Sequence, residues 1–283
     1  MGEGSALYDF DCRCVHYGVN YQNPIDTFFR FDPAYLPTVS TAARCGLDFY
    51  GESRAVRHAG GDFFDFVPIE SGMSICAGEL SETGLAGGLL RTGLRSLLRS
   101  FVQQCAREIA SAVRALNHAV WESSSGDFSA SVFCAHIDPV SGEMRYVNAA
   151  HEPALLIRRR TGKVHRLERT GAILGLRSQA VYGQRTFPLE PRDLLIVPSD
   201  GVTDARAGDG REFGEIGILN VVDQFPDTRS ASLTREILEA VERHAGKQTQ
   251  LDDRTVVAVR FKGALAQTEA AEEAQEDLAL AAA

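Results

Sequence analysis

The order of the apolar runs limits this chain more than any other feature. Short runs bounded by turn residues come first, at GLDFYGES (46–53), DFFDFVPI (62–69) and GMSICAGEL (72–80). Their spacing predicts three neighbouring antiparallel strands. The period then changes, with leucines at 85, 89, 90, 94, 97 and 98 and arginines at 91, 95 and 99. This predicts an amphipathic helix with the arginines on its solvated face. SAVRALNHAVWES (111–123) predicts a second helix. Two hairpins follow, FSASVFCAHID to MRYVNAA and EPALLIRRR to VHRLE, each turning at a glycine-containing loop. DLLIVPSDGVTDAR reads as a strand ending in an acidic turn, and ASLTREILEAVERHAG as a capped helix closing on Gly246. DDRTVVAVRF is the last strand, and its poor alternation suits burial on both faces.

Strands and helices are thus segregated, which points to an α+β chain or a β-sandwich flanked by helices and excludes a strictly alternating doubly wound sheet. We expect one domain over residues 31–263, a lead-in over 1–30 and an acidic, alanine-rich tail over 264–283 that is frayed or disordered. The formal net charge of -9 argues against a nucleic-acid partner. No apolar run reaches the length of a membrane span, and no secretory leader is readable at the N-terminus. The six cysteines form no zinc pattern and read as reduced, buried hydrophobes, so a cytoplasmic setting is expected.

Acids recur where an apolar strand meets a turn: Asp62 in GGDFFD, Glu79 in SICAGEL, Asp200 in LLIVPSDG, and Asp252 and Asp253 in DDRTVVAV. Each alone reads as a turn residue. If the fold gathers them at one edge, they repel unless a cation compensates. An all-oxygen set selects Mg²⁺ or Mn²⁺ over zinc. Two such ions activate water for phosphoryl transfer. His151 in NAAHEPALL is a candidate proton donor to a leaving serine oxygen or a substrate contact; the alternative is a hairpin-shaping residue. Arg57 and His58, just before AGGD, are candidates to meet a substrate phosphate; the alternative is an exposed strand end.

The ordered set GGDFFDF, AGELSETGLAGGLL, YVNAAHEPALL, TGAILGL, LLIVPSDGVTDAR, FG and DDRTVVAV resembles the SpoIIE-like, RsbU-like branch of the PP2C-type metal-dependent serine/threonine protein phosphatases. The resemblance runs from about residue 37 to 262. It implies a four-layer α-β-β-α sandwich with the metal site at one edge, and hydrolysis of phosphoserine or phosphothreonine by a metal-activated water. By motif it makes Asp62, Asp200 and Asp252 ligands of two Mn²⁺ or Mg²⁺ ions, with Asp253 a ligand or a support. Asp65 is expected to brace the site through water, with Gly61 and Gly201 close behind it. The resemblance also implies a phosphoprotein substrate, such as a phosphorylated anti-sigma-factor antagonist. No sensor domain of recognisable length is readable before the phosphatase region, so regulation by a partner protein or a companion chain is expected.

Where the family has Asp-x-x-Gly-x-Gly, this chain has ELSETG, residues 79–84. Glu79 takes the place of the metal-bridging Asp, Glu82 that of the first glycine, and Ala150 that of the glycine in NAGH. Glutamate keeps the charge and adds about 1.3–1.5 Å of reach. Two readings stay open on this ground: an active enzyme with an adjusted site, or a pseudophosphatase that binds a phosphoprotein or regulator. A hydrolase of small phosphoesters is a third, and would need a deep, closed pocket.

Overall fold

The computed structural model describes residues 46–263 apart from 56–59, 70, 82–83, 106, 125–126, 249 and 251. The expected lead-in and tail, Arg57, His58 and Glu82 lie outside the described residues. The strands are β1 (Leu47–Arg54), β2 (Asp62–Ile69), β3 (Gly72–Leu80), β4 (Ala130–Asp138), β5 (Glu143–Ala149), β6 (Ala154–Ile157), β7 (Val164–Leu167), β8 (Arg185–Pro188), β9 (Leu194–Pro198) and β10 (Arg254–Phe261). The helices are α1 (Gly84–Gln104), α2 (Ile109–Ser124), α3 (Asp200–Thr203), α4 (Gly214–Gln224) and α5 (Ser230–Ala245). One antiparallel sheet has the order β1-β10-β9-β6-β7, and the other β2-β3-β4-β5-β8.

Three apolar layers hold four structural layers together. Between the sheets lie Phe49, Phe64, Phe66, Phe133, Tyr146 and Val257. Val67, Leu98, Leu116 and Val132 join the second sheet to α1 and α2. Ile196, Ile218, Ile237 and Val256 join the first sheet to α4 and α5. Each such side chain contributes roughly 1.5–3 kcal/mol on burial. The two-residue period of β2 sends Phe64 and Phe66 inward and Phe63 and Val67 toward the helices. The expected α-β-β-α sandwich is the observed one.

Two local expectations are corrected. β1 does not neighbour β2; it pairs with β10, Leu47 opposite Phe261, in the facing sheet. The arginines of α1 are not a solvated face. Arg99 donates to both Asp65 oxygens at 2.7 and 2.8 Å, Arg95 lies 3.8 Å from Asp65, and Arg91 donates to the Gly60 carbonyl at 3.1 Å. They tie α1 to β2. The α5 helix is capped from another strand: Asp48 Oδ2 accepts the Ser230 N–H at 2.8 Å. Cys76 and Cys134 are buried and free, as read.

Candidate metal centre

The register of the sheets assembles the acids. Asp62 at the start of β2 stands directly opposite Glu79 near the end of β3. In the facing sheet β9 and β10 pair, so Asp200, just after β9, comes beside Asp252 and Asp253, just before β10. Ser199 fixes that junction. Its N–H donates to the Thr255 carbonyl at 2.9 Å, its hydroxyl accepts from the Thr255 N–H at 2.9 Å and donates to the Asp253 carbonyl at 3.2 Å. The Asp62 N–H donates to Asp253 Oδ2 at 3.3 Å and links the two sheets.

The glycines beside the acids have a steric cause. A β-carbon on Gly60 would stand 1.7 Å from Asp253 Oδ2, and one on Gly61 2.7 Å from the Leu80 carbonyl oxygen. One on Gly201 would stand 1.9 Å from the Asp253 carbonyl oxygen. Only glycine allows these backbones to approach. The GGD and SDG stretches are close-packing devices, Gly60 and Gly201 against Asp253 and Gly61 against Leu80.

Glu79, Asp200 and Asp252 each place a carboxylate oxygen so that all three lie within 4.8 Å of one another. Glu79 and Asp200 are half-buried and Asp252 is exposed. Burial, then the charges of Asp200, Asp252 and Asp253, push Glu79 up to about 8. Burial, then Asp252, raises Asp200. Asp62 is raised well above the usual carboxylate range by burial, then by Asp253 and Glu79. Ser199 and Thr255 are near it, yet their hydroxyls donate to the Asp253 carbonyl and to Ser53. Among the described residues, both Asp62 oxygens and Asp200 Oδ1 are buried without a hydrogen-bond partner. Crowded carboxylates with unspent lone pairs and no sulfur or imidazole among them fit hard divalent cations.

Not every expected residue joins the cluster. Asp65 does not brace it: three residues from Asp62, it points to the opposite face of β2, where Arg99 holds it. His151 is buried and burial pushes it down to about 4, so it is a neutral imidazole near pH 7, a poor acid toward a leaving oxygen. Its N–H donates to Asn148 Oδ1 at 2.9 Å and its Nδ1 lies 3.1 Å from the Glu152 carbonyl oxygen. It shapes the corner after β5.

Other neighbours escape a reading of the sequence. A cavity of about 270 Å³ beside Glu79 and Asp200 is lined by Ser129, Ser131, Glu152 and Arg169. Arg91 also reaches the Asp62 carbonyl at 3.4 Å. The even spacing of arginines along α1 was the one available signal for Arg91; nothing comparable marks Glu152 or Arg169.

A two-sheet sandwich with helices on both faces is the PP2C architecture. It is shared with the SiaA-PP2C domain of Pseudomonas aeruginosa at TM-score 0.70 and 17% identity, over 84% of this chain and 95% of that one. Residues 70–262 match the family described as Stage II sporulation protein E (SpoIIE), and the chain belongs to that family. It is 28% identical to Protein IcfG of Synechocystis sp. over 235 residues, 72% of this chain and 36% of that protein. It is 21% identical to Phosphoserine phosphatase RsbU of Bacillus subtilis over 216 residues, 76% of this chain and 64% of that protein. The chain therefore spans less than two thirds of either relative's length. Solved structures of the same fold include RsbX with magnesium and the PstP catalytic domain with 2 manganese ions. Among the described residues no helix is long and apolar enough to cross a membrane.

Proposed function

We propose that this chain is a Mn²⁺- or Mg²⁺-dependent protein serine/threonine phosphatase. The observation that carries this reading is the convergence of Glu79, Asp200 and Asp252 from the two sheets. These three are the ligands we assign first, with Asp62 and Asp253 beside them to complete a site for two ions. Divalent cations held there supply an acidified water and neutralise charge on the phosphoryl oxygens. The chain's own work is to fix five carboxylates at strand ends whose register leaves them little freedom. Arg169, on the wall of the neighbouring cavity, offers a cation to the incoming phosphoprotein.

The Glu79 carboxylate reaches those of Asp200 and Asp252 from β3, which supports an active enzyme over a binding module that has lost its metal bridge. The exposure of Asp252 suits a protein substrate better than a small ester in a closed pocket. The likeness to a phosphoserine phosphatase supports phosphoserine as the scissile group. A phosphorylated anti-sigma-factor antagonist is the substrate class we infer, with a regulatory protein partner. Release of phosphate from a phosphoserine peptide, with Mn²⁺ and with chelator, tests the proposal. Turnover that appears with Mn²⁺ and stops with chelator is expected; turnover indifferent to the chelator would overturn it.

A further inference from the structure

On the α5 side of the carboxylate cluster lies a second cavity, of about 390 Å³, which shares Asp200 with the first. Asp252, Asp204 and Arg254 line it, with Ala205 and Ala245 supplying apolar wall. Arg254 opens β10 and is only 6% exposed. Among the described residues, its Nε is buried without a hydrogen-bond partner and no carboxylate pairs with its guanidinium. The neighbouring arginines are committed elsewhere. Arg54 pairs with Glu52 and Glu242, and Arg206 with Glu212. Glu242, whose charge opposes the lowering of Arg254 by burial, already accepts from Arg54 at 2.8 Å.

A buried cation without a partner is costly, and folded chains keep one chiefly where a ligand completes it. A guanidinium presents a planar fork of donors that matches a carboxylate or a phosphate. We propose that this cavity is an oxyanion subsite in which Arg254 takes a carboxylate side chain flanking the phosphorylated residue of the substrate. The proposal rests on the phosphatase reading and adds a substrate class to it: acidic phosphopeptides. A segment lying across the cluster presents its phosphoryl group there and the side chain of a nearby residue here. Asp200, Asp204 and Asp252 repel a free anion from the same cavity, so the subsite works only with the cluster's cations in place.

The test is equilibrium binding with Mn²⁺ present, using phosphonate analogues of phosphoserine peptides that cannot be turned over. One peptide carries glutamates on either side of the phosphonate, the other glutamines. The parent is expected to bind the glutamate peptide about tenfold tighter, the usual worth of one charge-assisted hydrogen bond. Arg254→Met, which keeps the side chain's bulk, loses that ratio, and Arg254→Lys keeps part of it. Arg254→Met is expected to melt no lower than the parent, since it removes an unpaired guanidinium. Equal binding of the two peptides by the parent, or an unchanged ratio in Arg254→Met, would overturn the proposal. So would protection of the parent alone by inorganic phosphate with no discrimination between peptides, which would mean that the cavity takes the free anion. Because binding is read without turnover, a chain that failed as a phosphatase would leave this ratio measurable.

Discussion

The α-carbon of Gly60 is packed against the carboxylate of Asp253, so closely that a β-carbon would stand 1.7 Å from Oδ2. That carboxylate also accepts the Asp62 N–H at 3.3 Å. Gly60→Ala is therefore expected to push Asp253 away from Asp62 and loosen the cluster. A displacement of about 1 Å at such a site costs roughly 10²-fold in rate. Turnover with Mn²⁺ should fall by about that factor and Mn²⁺ affinity should weaken, as read by calorimetric titration. Unchanged affinity and rate would count against the placement of Asp253.

The cation-free protein should lose stability as pH rises. Burial, with Asp200, Asp252 and Asp253, lifts Glu79 from 4.5 to about 8 on folding. The folded chain holds this proton longer than the unfolded chain, so the contribution is complete below about 4.5 and is lost as pH rises through about 8. Asp62 and Asp200, raised by the same burial, act in the same direction. With chelator, the melting temperature is expected to drop between about pH 4.5 and about pH 8, and Glu79→Gln should flatten the slope. Saturating Mn²⁺ displaces the protons and protects most at the alkaline end. A slope untouched by Glu79→Gln would contradict this.

Asp65 and Arg99 should behave as a buried pair. Asp65 is 3% exposed and accepts from Arg99 at 2.7 and 2.8 Å. Arg99→Met leaves the carboxylate with Arg95 at 3.8 Å, and is expected to cost about 3 kcal/mol. Adding Asp65→Asn should recover most of that loss. Urea unfolding of the two single variants and the double variant checks the coupling; additive losses would show that the pair is independent.

Much of the architecture was legible because it is local. The period of two in β2, β3 and β4 and the leucine spacing of α1 each declare an element. The pairing of β1 with β10 was not legible, because its partner lies some two hundred residues away and alternation encodes a face, not a neighbour. The arginines at 91, 95 and 99 misled for a related reason. An evenly spaced basic stripe opposite leucines reads as surface until Asp65 is seen beneath it. Acids at strand ends were readable as a set, and Glu79, Asp200 and Asp252 do meet. Asp65 was misjudged by strand parity, and Arg254 was passed over because one arginine beside DD carries no sign of burial.

Ala150 has a left-handed backbone, φ 60, at a position where the family commonly has glycine. The strain is worth roughly 1 kcal/mol, partly offset because glycine gains more freedom on unfolding. Ala150→Gly is expected to raise the melting temperature by about 1–2 °C in calorimetry. A decrease would show that the neighbouring corner, with Asn148 and His151, already absorbs the strain.

The most direct test of the central claim is hydrolysis of a generic phosphoester with Mn²⁺ by the parent, Asp200→Asn and Glu79→Asp. The account predicts turnover in the parent and its loss, by about 10²-fold or more, in Asp200→Asn. It predicts that Glu79→Asp gains nothing, since the glutamate already reaches Asp200 and Asp252. A silent parent with activity appearing in Glu79→Asp would contradict it and leave a binding module whose bridge has been lost.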